Sequence, residues 1–99
     1  MTEKIKLAVI SLLISTFIYG CSSKPPLEEM EPEKMFSYLQ ERFVEEKYLD
    51  VIEGLEFFTL NYSGNVKVDS AEFLLGQAHF HIKEYLIAAD VFNEMNRRF

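Results

Sequence analysis

His79, His81, the lone Cys21 and sixteen Asp and Glu residues are the side chains with ligating or reactive atoms. Two residues apart on a helix, the imidazoles point about 200° apart and cannot close on one metal ion as histidines four apart would. The spacing predicts one ring packed or facing a groove and the other solvated. Glu28, Glu29, Glu31 and Glu33 form an acidic string with two readings. It is a metal or basic-partner site, or the solvated start of a helix whose dipole it complements. No other carboxylate lies in an apolar setting of the kind that makes a general acid. The chain lacks a glycine-rich phosphate loop, a cysteine pair and a serine at a nucleophile elbow. No active site is expected, and no cofactor or metal.

Cys21 has a more specific context. Lys4 and Lys6 precede an apolar run from Leu7 to Tyr19 that stops at Gly20-Cys21-Ser22-Ser23. Charge followed by a short apolar stretch is the layout of a secretory signal, and the run is too short for a comfortable membrane span. A buried thiol, a disulfide partner and a metal ligand are the alternatives for a single cysteine, and none suits a signal-peptide boundary. The segment resembles a bacterial lipoprotein cleavage box, with Ile18 and Gly20 fitting and Tyr19 bulkier than the usual small residue. That resemblance implies residues 1–20 as signal peptide and Cys21 as the acylated first residue of the mature protein. At about 0.8 kcal/mol per buried methylene, three acyl chains hold far more firmly than one. The same resemblance implies, from Ser22 rather than Asp after the cysteine, sorting to the outer membrane.

The elements that follow are helical. Residues 21–32 contain all three prolines and are polar and acidic, which predicts a flexible tether stiffened at Pro25-Pro26. Pro32 suits the first position of a helix. Helix one is expected over 33–46 with Met35, Phe36, Leu39 and Phe43 inward, and helix two over 49–62 with Ile52, Leu55, Phe58 and Tyr62 inward. In the break at 61–69, Gly64 is expected to end a helix in a left-handed conformation, and Asp69 with Glu72 to form a capping box. Val66 and Val68 alternate with polar residues but have no strand partner, so the stretch is loop. The third helix carries Ala71, Leu74, Leu75, Ala78 and Ile82 on one stripe; the fourth carries Tyr85, Ala88, Ala89, Phe92, Met95 and Phe99. Lys83-Glu84 between them is a tight antiparallel reversal. The fold class is all-α.

Leu75, Gly76, Tyr85, Ala88 and Phe92 resemble the tetratricopeptide repeat, although the same stripes suit an ordinary helix bundle. A shift of 37 residues lays Tyr48-Leu49 on Tyr85-Leu86, Phe36 on Phe73 and Phe43 on Phe80. Two degenerate repeats are therefore expected, 33–68 and 69–99. Leu39 stands where Gly76 does and Val51 where Ala88 does, so the earlier hairpin must splay or repack. Met95 and Phe99 stay on the stripe with no cap following, and the chain reads as an N-terminal fragment of a longer repeat array.

Net charge is −6, and loss of Lys4, Lys6 and Glu3 with residues 1–20 would bring it to −7. That balance argues against nucleic acid, and the one basic pair, Arg97-Arg98, sits where a helix C-terminus favours it.

Lipoprotein box, proline tether and repeats together resemble the BamD family of outer-membrane barrel-assembly lipoproteins, over residues 21–99 and most sharply in YLIAADVFNEMNRRF. The resemblance implies a periplasm-facing scaffold, lipid-anchored in the outer membrane, that binds an Omp85-type subunit and helps insert unfolded outer-membrane proteins. In such stacks first helices line a concave groove for peptides. The expected groove residues are Tyr38 and Arg42 on the first helix and Phe73 (or Phe80), Gln77 and His81 on the third. The alternatives are a lipoprotein that pilots secretin assembly or coordinates envelope constriction, or the anchor region of a longer enzyme. Replacing Cys21 by Ser should abolish palmitate incorporation and leave the precursor uncleaved; label entering the Cys21→Ser protein would refute the anchor.

Overall fold

A computed structural model describes residues 2–18 and 25–98. Its elements are α1 (Thr2–Ile18), a 3-10 turn (Leu27–Glu29), α2 (Pro32–Val44), α3 (Tyr48–Asn61), α4 (Val68–His81) and α5 (Tyr85–Arg98), with no strand among the described residues. The chain is all-α, built of antiparallel helix hairpins. Cys21 and Phe99 lie outside the described residues. Among the described residues no helix is long and apolar enough to cross a membrane.

Pro32 opens α2 at its first turn, where a missing N–H breaks no helical bond. Glu31 caps it in extended conformation, and the Met35 N–H donates back to its carbonyl at 2.8 Å. Both hairpin reversals use one hydrogen-bond pattern. Glu46 N–H donates to Phe43 O at 3.0 Å and Lys47 N–H to Arg42 O at 3.0 Å; Lys83 N–H donates to Phe80 O at 3.0 Å and Glu84 N–H to His79 O at 2.9 Å. The pivots Glu46 (φ 62°) and Lys83 (φ 67°) are left-handed, 37 residues apart like every other pair in the two turns.

α3 packs between α2 and α4, and α5 covers the other side of α4. The largest fully buried side chains are Phe58, Met35, Leu39, Leu55 and Val51, all on the first hairpin. Ala71, Leu75 and Ala78 of α4 complete this core. α5 buries only Ala88 fully; Phe92 and Met95 are half-buried. Tyr85 and Ala89, expected on the inward stripe, are exposed because α4 alone covers α5 among the described residues.

The first hairpin repacks rather than splays. Gly54 on α3 faces Leu39, so that a Cβ built on Gly54 would overlap Leu39 Cδ2 and lie 3.2 Å from Cδ1. In the second hairpin the small residue is on the other helix: a Cβ on Gly76 would lie 2.5 Å from Phe92 Cε1. Large-on-small packing is kept while the donor of the notch switches helix.

Three local expectations are corrected. No glycine has positive φ among the described residues, and Gly64 does not stop α3. The helix ends at Asn61, and Asn65 turns the chain by accepting at its side-chain oxygen from Lys67 N–H at 2.8 Å and at its carbonyl from Val68 N–H at 3.1 Å. Asp69 is no cap, since α4 starts at Val68 and its N-cap, Lys67, makes no side-chain bond. Glu72 instead pairs with Arg98, tying the end of α5 to the start of α4. The tether, finally, is ordered from Pro25 on: Leu27 and Met30 pack against the core through the 3-10 turn, forming a strap.

Alanine at Gly54 should destabilise the chain by about 1–2 kcal/mol, overpacking against buried Leu39 exceeding the helix-propensity gain. Alanine at Gly76 should be near neutral, because half-buried Phe92 can pivot. Urea melts of the two variants would check the order.

Candidate functional site

Phe73, Gln77 and His81 form one i, i+4 row along α4. Phe73 and His81 are exposed and Gln77 is half-buried, making no side-chain hydrogen bond among the described residues. Phe73 leans toward α5, its ring 5.8 Å from Phe92 at 50°. His81 leans the opposite way. It stacks on Tyr48 with centroids 4.8 Å apart and planes 2° from parallel, and meets the edge of Phe43 at 5.5 Å. Phe43 and Tyr48 contact each other at 5.3 Å, and Phe80 extends the series from His81 (6.3 Å) to Tyr85 (5.2 Å). A continuous aromatic series thus links the two hairpins at their turns.

The two histidines separate as their spacing requires. His79 is buried, and its Nδ1 lies 3.1 Å from Glu84 Oε1. The carboxylate only accepts, so Nδ1–H donates. With the Glu84 N–H bonded to the His79 carbonyl, the pair is clasped twice across the second turn. His79 is structural, and His81 remains on the surface.

Tyr38 and Arg42 do not join the α4 row. Around α2, the pair Tyr38–Arg42 and the pair Phe36–Phe43 lie about 130° apart, on either side of Met35–Leu39. Phe43 faces α4 through His81 and Leu39 faces α3 through Gly54. Tyr38 faces the strap, lining with Pro25, Leu27, Asp50, Glu53 and Phe57 a cleft of about 260 Å³. Arg42 lies over the Tyr38 ring at 5.1 Å and donates to Glu45 at 2.9 Å. Pairing with Tyr38 first, and with Glu45 after it, pushes the guanidinium above its ordinary range. The 37-residue shift sets Gln40 under Gln77 and Val44 under His81, and both are exposed on α2.

The acidic string does not gather. Glu28 and Glu29 sit in the 3-10 turn, Glu31 caps α2 and Glu33 lies in its first turn. Among the described residues no three carboxylate, imidazole or thiol side chains converge on a metal position. What the surface offers is apolar and amide chemistry: Gln40, Val44, Phe73, Gln77, Phe80 and His81 carry no formal charge with His neutral, in a chain of net charge −6. Compared with protein-family models, curated proteins and solved structures, the chain matches none.

The Tyr48–His81 stack joins the hairpins. A double-mutant cycle of Tyr48→Ala and His81→Ala should give a coupling of about 0.5–1.5 kcal/mol in denaturant melts. A coupling of zero would mean that the rings merely lie side by side.

Proposed function

We propose that this chain is a lipid-anchored scaffold of the outer membrane whose first helices, α2 and α4, hold unfolded barrel-protein segments for an Omp85-type assembly subunit. The reading follows the resemblance to the BamD family and the tetratricopeptide-like pattern of the hairpins. The observation that carries it is the uncharged row of exposed Phe73 and Phe80 and half-buried Gln77 on α4, with exposed Gln40 at the position of α2 that lies 37 residues before Gln77. Barrel strands alternate apolar and polar residues. Exposed rings can take the apolar side chains, and glutamine amides, each both donor and acceptor, can pair with unsatisfied strand backbone. The row binds and orients; no bond is made or broken on it.

In this reading Gln40 takes the place of Tyr38 and Arg42 on α2, because Tyr38 lines the strap cleft and Arg42 lies over its ring. Photo-crosslinkers at Gln40, Phe73 and Gln77 in the full chain in cells should capture nascent outer-membrane barrel proteins, while one at Tyr38 should not. Capture only of secretin subunits or peptidoglycan-synthesis proteins would assign the chain to another class of envelope lipoprotein. Equal capture from Tyr38 would refute the groove.

A further inference from the structure

The two sides of the helix stack are finished differently. Glu29, Met30 and Glu31 of the strap line a cleft with Lys34, Ser37, Tyr38 and Glu41 of α2. At a shift of 37 residues those four α2 positions become Ala71, Leu74, Leu75 and Ala78, the side of α4 that joins the core against α3. The strap therefore takes on α2 the seat that α3 takes on α4, and Lys34 and Glu41 make that seat charged.

Among the described residues α5 has no such cover. On α3, Ile52 and Leu55 are buried with the residues of α4, and Tyr48 stacks on the His81 ring. Their counterparts at the same shift are Ala89, Phe92 and Tyr85; the first is exposed, the second half-buried and the third 54% exposed. The ring contact beside them repeats, Phe43 to Tyr48 at 5.3 Å and Phe80 to Tyr85 at 5.2 Å. α5 thus offers the surface on which α3 receives an antiparallel helix. At about 100° per residue, Tyr85, Ala89, Phe92 and Asn96 fall within about 60° of arc. Asp90, Glu94, Arg97 and Arg98, all the charged residues of α5, lie about 110° or more from its centre.

We infer that this face pairs with itself: α5 of a second copy packs on it antiparallel, closing two chains into a dimer about a two-fold axis. The four positions are symmetric about one point, between Asp90 and Val91. One antiparallel register therefore sets Ala89 opposite the partner's Phe92 and Tyr85 opposite the partner's Asn96. The Phe92 ring then seats on a small residue, the large-on-small packing of both hairpins, and the Asn96 amide, donor and acceptor, reaches the Tyr85 hydroxyl. A parallel pair would set alanine on alanine and phenylalanine on phenylalanine and align the two helix dipoles. Charge selects the same face, since two chains of net charge −6 meet best where neither brings a charge. Head-to-tail growth would need α5 on α2, a seat the strap occupies, so association stops at two. Phe80 and Leu86, 55% and 85% exposed, flank the face. One helix face is still a small interface, and the pair dissociates on dilution. It needs neither the anchor nor the client proposed above.

The test uses the full chain carrying Cys21→Ser, so that introduced thiols are its only ones, in a non-ionic detergent. Sedimentation over a wide range of concentration should show monomer and dimer in reversible exchange. Ala89→Arg, a charge at an exposed position, should raise the midpoint about tenfold or more while circular dichroism stays unchanged. With a short bismaleimide, a mixture of Tyr85→Cys and Asn96→Cys chains should cross-link, and either variant alone should not. Monomer at every concentration, a dimer indifferent to Ala89→Arg, or equal cross-linking of Tyr85→Cys with itself overturns the pairing. Growth beyond two copies would place α5 on α2 and overturn it as well.

Discussion

The contact on which the fold depends is the seating of Leu39 in the notch left by Gly54. A Cβ at that position has no room, so only glycine lets α2 approach α3 closely enough to enclose Met35, Phe36, Val51, Leu55 and Phe58. α3 is then apolar on two flanks, and α4 covers the second with Ala71, Leu75 and Ala78. Small residues on α4 permit that approach, and close approach removes more apolar surface from water per helix. The second hairpin has the same kind of notch at Gly76, but depends on it less. Its filler is Phe92, which stays half-buried, so the order of packing runs from α3 outward.

Repetition is plainest in the backbone of the turns. The same two N–H groups return to the same two carbonyls after 37 residues, and the pivot is left-handed each time. Neither pivot is glycine, although a left-handed conformation costs a side-chain-bearing residue about 1–2 kcal/mol. The turn geometry is therefore imposed by the packing of the helices it joins, the aromatic series Phe43, Tyr48, His81, Phe80 and Tyr85 being the part that binds turn to turn.

Helix positions and the inward stripes of α2, α3 and α4 were legible because apolar spacing and Pro32 act locally; the stripe expected on α5 failed at Tyr85 and Ala89, where no second helix covers it among the described residues. What failed to show was each feature decided by a neighbour in space. Gly54 was overlooked because the repeat register points to Leu39 as the counterpart of Gly76, while the notch had moved to the partner helix. Gly64 and Asp69 looked like stop and start signals, yet Asn65 supplied the turn from its own side chain and Glu72 was drawn away to Arg98. The strap was taken for tether because proline and glutamate dominate its composition; Leu27 and Met30, three apart, were the signal that it packs. Among the candidate groove residues, all chosen as lying off the packing stripes, Phe73, Gln77 and His81 share one i, i+4 row of α4. Tyr38 instead lines the strap cleft and Arg42 lies over its ring, because the strap's packing on α2 is decided by residues distant from that helix's own periodicity.

The graded burial also decides which part of the molecule yields first. α5 is held by Ala88, by Phe92 over Gly76 and by the Arg98–Glu72 pair, and its other flank is exposed. Local opening takes the least enclosed element at the lowest free energy, so α5 should separate before α2, α3 and α4 lose their common core. Its departure would uncover Gly76 and release Phe92 from Phe73, altering one end of the α4 row while leaving His81 stacked on Tyr48. The row thus has a rigid end at the turns, secured by the first hairpin, and a compliant end at Phe73, governed by α5. Any ligand that binds along its whole length must stabilise α5 as well, because only the closed arrangement presents both ends.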